Sequence, residues 1–539
     1  MEMDRIIGKT LAKSADQRYQ NIADLAVDLR AVQGAAPSER RIPRRWMLPL
    51  AAAVPVTVAG FYAWRIATSA RAISSIAILP LRTLSAESND NFLGLGIADA
   101  LITKIGQPVL LQVRPISAVR KYAKGDYDPL EVARQLNTEV VLEGNLQQLG
   151  ERIRVSMHLL RTSSGESILT QIFDVKAGDV FAIQDEIAKQ VAGHLRLKLE
   201  PEQRVEFEKR STANTEAFQY YSKALFHLDR RSRQEELHLA IDLFKRAIEA
   251  DPNYAPARAQ LGYAYAYSAM FWFSDPGVVE LAKAELDQAE KIDPRLAQIH
   301  VGRSMLHYTH YGDWNLRDAI REMRMALRLD PNAGHDEMAY YYWHIGLEAL
   351  AEKHGQAALS AEPNSDSVQR SYVESYYMSQ RVDEAAEADR RTRRRGPKAL
   401  YYLVKEQPEQ AAPLLEKEYA TEQRKTVGWG LRPRLYLLQG KKAEALRDIA
   451  ALEAMTEQSP RLQFYHHATY ALAQLYGRMG QPAKALHWLE ETVSTGWPQY
   501  PMMERDKMLD PVRKDPGVAK FLASLKRTWE ENMREFGGD

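Results

Sequence analysis

The chain has 539 residues, of which 45% are hydrophobic and 27% charged, a composition that supports folded domains and excludes wholesale disorder. Its 72 Lys plus Arg against 71 Asp plus Glu leave a net charge of +1, so it offers no long-range field to hold nucleic acid. Cysteine is absent, which removes disulfides, thiolate nucleophiles and Cys-ligated zinc and leaves the redox compartment open.

Residues 1–33 have an amphipathic, helical pattern. Residues 34–45 hold Pro37, Pro43 and the cluster Arg40, Arg41, Arg44 and Arg45, and read as a basic linker. Residues 46–64, WMLPLAAAVPVTVAGFYAW, carry no charge. As a helix they would reach about 28 Å, close to the hydrocarbon thickness of a bilayer, with Trp46, Tyr62 and Trp64 as interfacial aromatics. Pro49, Pro55 and the flanking charge argue against a buried soluble helix. A cleaved signal sequence ending near Thr68–Ala70 would need an unusually long charged region before it. The segment is therefore expected to be one transmembrane helix. The arginine-rich flank places the N-terminus in the cytoplasm and everything from about residue 71 outside it, which predicts a single-pass inner or plasma membrane protein with a periplasmic C-terminal part.

Residues 72–200 alternate between strand and helix patterns. ISSIAILPLR (73–82) suits a buried strand, Asn91–Ile105 has helical spacing, Val109–Val113 is strand-like and Pro129–Leu136 helical. Strands are expected at Val140–Glu143, Ile153–Leu160 and Ile168–Val175, and a helix from Asp179 to Leu199 closes a compact α/β domain.

From residue 213 the pattern is helix after helix, and an acidic residue followed by proline recurs at Pro252, Pro294, Pro331 and Pro363. The intervals of 42, 37 and 32 residues scatter around the 34 of a tetratricopeptide repeat. Five and twelve residues before each proline stand Ala247 and Ala240, Ala289 and Ala282, Ala326 and Ala319, then Ala358 and Ala351. Eight residues before stand Phe244, Leu286, Met323 and Gly355, so a large apolar slot holds in three units of four. Leu261, Gly262 and Tyr265 supply the L-G-x-x-Y part of the repeat signature. Small residues in this register let paired helices approach closely. Weaker pairs are expected around Gly440 and Gly480, and residues 501–536 read as capping helices. The insertion FWFSDPGVV (271–279) lengthens one turn and is a candidate binding face. The expected fold is mainly α: a tetratricopeptide-repeat superhelix over 213–500, preceded by a small α/β domain and one transmembrane helix.

IAILPL, NDNFLGLGIADALITKI, LNTEVVLEGNLQQLGERIRVSMHLLRTSSGESI and DVFAIQDEIAKQV occur in that order and resemble the TolB N-terminal-like domain, which precedes tetratricopeptide repeats in many bacterial signalling proteins. RIIGKTLAKSADQRYQNIADLAVDLRAV within residues 1–33 resembles the closing helices of a bacterial eukaryotic-like serine/threonine kinase domain. Arg18 matches the arginine that pairs there with the glutamate of the Ala-Pro-Glu motif. The Gly-rich loop, strand lysine, His-Arg-Asp loop and Asp-Phe-Gly motif, which precede that segment in kinases, have no counterpart here. Without them the chain holds no nucleotide or catalytic site, and Arg18 is left a structural role. The resemblance implies the C-terminal part of a receptor-type kinase whose catalytic core is missing.

Other chemistry finds little support. IIGKT lacks the first glycine of a phosphate loop, and Gly94-Leu95-Gly96 lacks a third. His307 with His310, and His466 with His467, lack the i, i+4 spacing of paired metal ligands and any evident third ligand. His335-Asp336-Glu337 offers acid and base groups on consecutive, diverging positions. The run Arg390–Arg395 reads as a solvated helix end. Aromatics at Tyr263, Tyr265, Tyr267 and Phe271–Phe273, and at Tyr340–Trp343, are expected to pack between repeats, with some facing a concave groove. No catalytic, cofactor or metal residue is assigned. The expected function is a membrane-anchored, non-enzymatic signalling, sensor or scaffold module that binds a protein or peptide partner in its groove, without nucleic acid. The alternative is the C-terminal portion of a transmembrane serine/threonine kinase whose catalytic domain lies upstream.

Overall fold

The computed structural model describes residues 73–538 apart from 85–90, 107–110, 124–126, 150–151, 177–179, 196–200, 202–203, 205–206, 208–209, 229, 273–275, 364, 393–397, 422–429 and 459–464. The kinase-like segment 1–33 with Arg18, the linker 34–45 and the uncharged segment 46–64 lie outside the described residues. Among the described residues no helix is long and apolar enough to cross a membrane.

The α/β part is a mixed sheet of order β3-β1-β4-β5-β6, with β2 also paired to β4. β1 (Ser75–Ile78) lies between β3 (Gln112–Val113) and β4 (Val140–Leu149), parallel to both. Its fully buried run explains why the sequence there is continuously apolar. The single strand expected over 73–82 is divided at Pro80, which has no ladder N–H, and resumes as β2 (Arg82–Thr83). β4, β5 (Arg152–Arg161) and β6 (Ser167–Lys176) form an antiparallel meander. On β5 Ile153, Val155, Met157 and Leu159 point into the core, while Arg152 and Arg154 pair outside with Asp174. Helix α1 (Asn91–Gly106), the short α2 (Ile116–Val119) with a 3-10 turn at Arg120–Ala123, α3 (Pro129–Gln135) and α4 (Val180–His194) complete the domain.

Helical hairpins follow. α5 (Thr215–Leu228) pairs with α6 (Gln234–Ala250), α7 (Ala255–Phe271) with α8 (Pro276–Ile292), α9 (Ala297–His307) with α10 (Leu316–Leu329), and α11 (His335–His344) with α12 (Glu348–Ala361). The eight register alanines are all buried, seven of them completely. Phe244, Leu286 and Met323 are likewise 0% exposed. At Gly355 the slot is filled from the next hairpin, since a Cβ there would meet Tyr372 Cδ2 at 2.7 Å. The acidic residue before each of the first three prolines closes a local turn. Asp251, Asp293 and Asp330 accept the amide two residues on, from Asn253, Arg295 and Asn332 at 3.0, 3.2 and 2.9 Å. Proline stops the helix and aspartate sets the turn into the next one.

Two further pairs were not singled out from the sequence: α13 (Asp366–Met378) with α14 (Val382–Arg391), and α15 (Ala399–Val404) with α16 (Pro408–Thr421). They are followed by α17 (Leu431–Leu438) with α18 (Lys442–Gln458) and α19 (Tyr465–Arg478) with α20 (Pro482–Ser494). Gly440 and Gly480 end α17 and α19 in the left-handed region, at φ 74° and 68°. Gln380 and Glu406 do the same work after α13 and α15, at φ 58° and 56°. The backbone bonds match: Arg381 N donates to Tyr376 O as Lys441 N donates to Tyr436 O. These two helix ends use glutamine and glutamate where glycine would have signalled them.

The C-terminal part, α21 (Tyr500–Arg505), a 3-10 turn at Lys507–Leu509 and α22 (Pro516–Phe536), turns back onto the middle of the array. Arg317 and Arg321 of α10 pair with Glu531 and Glu535, and Trp529 Nε1 donates to Gly346 O at 2.9 Å. Residues 501–536, expected as an end cap, therefore brace the third and fourth hairpins.

Gly262 shows how tightly the register closes. A Cβ there would lie 2.6 Å from Leu286 Cγ and 3.2 Å from Ala282 O. Gly262→Ala is expected to destabilise the fold by about 1–3 kcal/mol through overpacking, measured by urea denaturation. Gly440→Ala meets no neighbouring atom and should lose only the left-handed preference of about 1 kcal/mol.

Candidate functional site

The turn between α5 and α6 carries Arg231 to the face of α7 that bears Tyr263, Tyr267 and Phe271. Spacing of four residues puts these three rings in one row. The guanidinium lies 5.1 Å from the Tyr267 ring and 5.7 Å from Tyr263, and Tyr267 contacts Phe271 with ring centroids 4.4 Å apart. Trp272, exposed at the start of the insertion, extends the row toward solvent. The buried Nε of Arg231 has no hydrogen-bond partner among the described residues.

Asp336 and Glu337, in the first turn of α11, sit within the electrostatic reach of Arg231. Burial, then repulsion and a hydrogen bond from Asp336, push the Glu337 carboxyl well above the usual carboxylate range. Burial so disfavours the charged form that Glu337 is held protonated well beyond the usual carboxylate range. Tyr341, one turn on, lies 3.3 Å from Ser304 Oγ. The fourth acid–proline pair departs from the first three, because Glu362 accepts a hydrogen bond from Ser117 of α2 in the sheet domain. Burial raises the Glu362 carboxyl, Asp336 adds to the shift, and Arg120 and Arg231 oppose it. Carboxylates from the fourth hairpin, a guanidinium from the first and aromatic rings from the second thus converge under one edge of the sheet domain.

Beside this region the sheet domain and array meet at a cleft of about 120 Å³ lined by Asp99, Lys104, Asp185, Arg210, Tyr221 and Tyr254 among others. Gly96 allows the contact: a Cβ there would overlap Ser222 of α5. Phe181 meets Phe218 edge-on at 5.4 Å, so α5 belongs to both cores. Tyr221 Oη donates to Asp99 Oδ2 at 3.0 Å. Burial pushes the Asp99 carboxyl up to about 6, against the lowering effect of that hydrogen bond.

The repeat residues lie elsewhere. Ala240, Phe244, Ala247, Ala282, Ala289, Ala319, Ala326, Ala351 and Ala358 are packing residues within hairpins, as are Leu261, Gly262 and Tyr265 on α7. Pro252, Pro294, Pro331 and Pro363 occupy the turns after α6, α8, α10 and α12. Tyr342 and Trp343 are core residues. Arg390 and Arg391 are exposed and paired with Glu387, which fits a solvated helix end; Arg393–Arg395 lie outside the described residues. His307 and His310 join no ligand cluster among the described residues, whereas His466 and His467 do find a third histidine, His344. That ligand comes from a helix 122 residues away, which no local spacing encodes.

Residues 72–190 match the family of the second domain of HilA/YgeH-like transcriptional regulators, a match confined to the α/β part. A curated protein of Rhizobium meliloti (strain 1021), "Putative adenylate cyclase 3", is 27% identical over 190 residues, 35% of this chain. The chain spans about a third of that relative's length. Among solved structures, a tetratricopeptide repeat protein from Parabacteroides merdae ATCC 43184 is 18% identical, covering 55% of this chain and 100% of its own, with a TM-score of 0.25. The P58(IPK) TPR domain is 16% identical over 66% of this chain and 88% of its own, with a TM-score of 0.24. Superpositions this poor carry no argument, and the repeat architecture rests on the hairpins and their registers.

The junction makes a pH-dependent contribution to stability. Asp99 ionises near 3.8 when unfolded and near 6 in the fold, so folding favours its protonated form. That stabilisation is complete below about pH 4 and is lost as pH rises through 6, on the order of 3 kcal/mol in all. Asp99→Asn keeps an acceptor for Tyr221 without the ionisation cost. It should be more stable than the parent at pH 8 and indistinguishable at pH 4 in thermal denaturation; the same difference at both pH values would exclude this origin.

Proposed function

We propose that this chain is the partner-binding portion of a membrane-anchored signalling protein, taking an extended protein segment that presents a basic side chain to Asp336 and Glu337. The observation that carries the reading is the convergence of those carboxyls with the Tyr263–Tyr267–Phe271 row and Arg231. A lysine or arginine entering there offsets the cost of ionising Glu337, while the rings supply stacking surface at low entropic cost. The α/β part supports a signalling context: it resembles the TolB N-terminal-like domain and matches a family named for transcriptional regulators, and the chain has a relative named as a putative adenylate cyclase. On this reading any catalytic output belongs to another part of the protein or to a partner.

A peptide library carrying Lys, Arg, Glu or Ala at a central position should return basic sequences when panned against the full chain in detergent. Tyr267→Ala and the double variant Asp336→Asn with Glu337→Gln should each weaken the recovered peptide about 10-fold or more in fluorescence anisotropy. Recovery of acidic peptides, or affinity unchanged in both variants, would overturn the assignment of this face.

Residues 46–64 are proposed as the anchor, with the N-terminus cytoplasmic and the repeats periplasmic. Alkaline phosphatase fused after Asp539 should then be active, and inactive when 46–64 are deleted. The kinase resemblance of residues 1–33 supports a second reading, in which a kinase domain is the cytoplasmic output. Upstream in-frame sequence encoding a Gly-rich loop and His-Arg-Asp would establish it.

A further inference from the structure

The return of the C-terminal hairpins brings α19 against α11 and places His466 and His467 beside His344. All three are buried, and one ring nitrogen from each lies within 4.8 Å of the others. His344 Nδ1 is 2.7 Å from Tyr340 O, and His466 Nδ1 is 3.0 Å from Thr495 O. A carbonyl can only accept, so each Nδ1 carries the proton and each Nε2 carries a bare lone pair. The two Nε2 atoms face one another at 3.3 Å. With each Nδ1–H given to a carbonyl, both Nε2 lone pairs face the gap between the rings.

Such an arrangement is unfavourable unless something electrophilic sits between the rings. A divalent ion does so naturally. Two imidazoles bound at about 2.0–2.1 Å in a tetrahedral site have nitrogens about 3.3 Å apart, the separation present here. The Nδ1–H to carbonyl bonds are the outer-shell partners that orient metal-binding histidines. His467, next along the helix, points toward a cleft of about 50 Å³ that it lines with Gln380, Gln474 and Trp497 among others. That opening gives an ion and its remaining water a way in. Adjacent helix positions do not aim at one point, but His344 enters from the facing helix, its ring 5.2 Å from His466 and 6.4 Å from His467.

We propose that His344, His466 and His467 form a binding site for a late first-row divalent transition metal such as Zn2+, clamping the eighth hairpin to the fourth. Neutral imidazole donors without carboxylates select Zn2+, Cu2+, Ni2+ or Co2+ over Mg2+ and Ca2+. The Tyr308, Trp314 and Trp497 rings packed around the histidines keep bulk water away. The ion's role follows from its place: it joins helices that belong to distant parts of the chain.

The test is zinc binding to the full chain, without a polyhistidine tag, in detergent after treatment with EDTA. One equivalent of Zn2+ should remain through gel filtration, Mg2+ and Ca2+ should not compete, and Co2+ should give the visible bands of a four-coordinate site. His344→Gln and His466→Gln should each weaken binding about 100-fold, and zinc should raise the melting temperature of the parent but of neither variant. His335→Gln, which alters the separate His335–His354 contact, should bind as the parent does. His467→Gln, at the edge of the cleft, serves as a further ligand variant should the two core substitutions fail to fold. The assignment is overturned if the folded parent retains no zinc, if His335→Gln abolishes retention, or if the ligand variants bind as the parent does.

Discussion

The close approach of paired helices at alanine is the constraint on which this structure depends. At Ala240, Ala282, Ala319 and Ala351 a larger side chain would separate each hairpin's two helices, and at Gly262 even a methyl group meets Leu286. Because the partner surfaces are buried almost completely, each hairpin has a defined pose on the last, and small rotations accumulate along the array. The consequence is global: after eight hairpins the chain has turned far enough for α22 to lie along α10 and for α19 to touch α11. Groove, brace and histidine cluster all descend from packing set within single hairpins.

The sheet domain is tied into this system by sharing a helix with it. α5 presents Phe218 and Ser222 to the sheet side and Ala217, Tyr221 and Leu225 to the array. A second tie, Ser117 to Glu362, reaches the fourth hairpin. The sheet domain lies over Glu362 through this bond, and burial raises both the Glu362 and the Glu337 carboxyls. An exposed acidic patch would simply ionise and bind cations weakly; a roofed one discriminates, because only a ligand that brings compensating charge offsets the cost of ionising it.

Legibility from sequence tracked how local each cause was. The four acid–proline turns and the alanine register were readable because each depends on residues within one hairpin, and the alternation of β5 was readable because one of its faces is buried. The hairpins at α13/α14 and α15/α16 were not, since Gln380 and Glu406 adopt left-handed conformations without glycine to announce them. Phe271, at the start of the 271–279 insertion, contacts Tyr267, a pairing that the spacing of four residues made readable. Arg231 and Glu337 gave no signal, because their meeting depends on the curvature of three successive hairpins.

The histidines carry the same lesson to its limit. Read locally, His466 and His467 diverge and lack a third donor, a correct statement about one helix. The third donor belongs to the fourth hairpin and arrives only when the array has turned back on itself, so the site is a property of the closed superhelix and of no shorter segment. It also inverts the usual order of cause. An ion held between carbonyl-oriented imidazoles from two distant hairpins favours the closed arrangement over any opened one. Closure and the groove's roof involve the same hairpin, α11/α12, through His344 at one end and Glu362 at the other. Whatever holds the eighth hairpin against the fourth therefore also bears on the face where Asp336 and Glu337 await a partner.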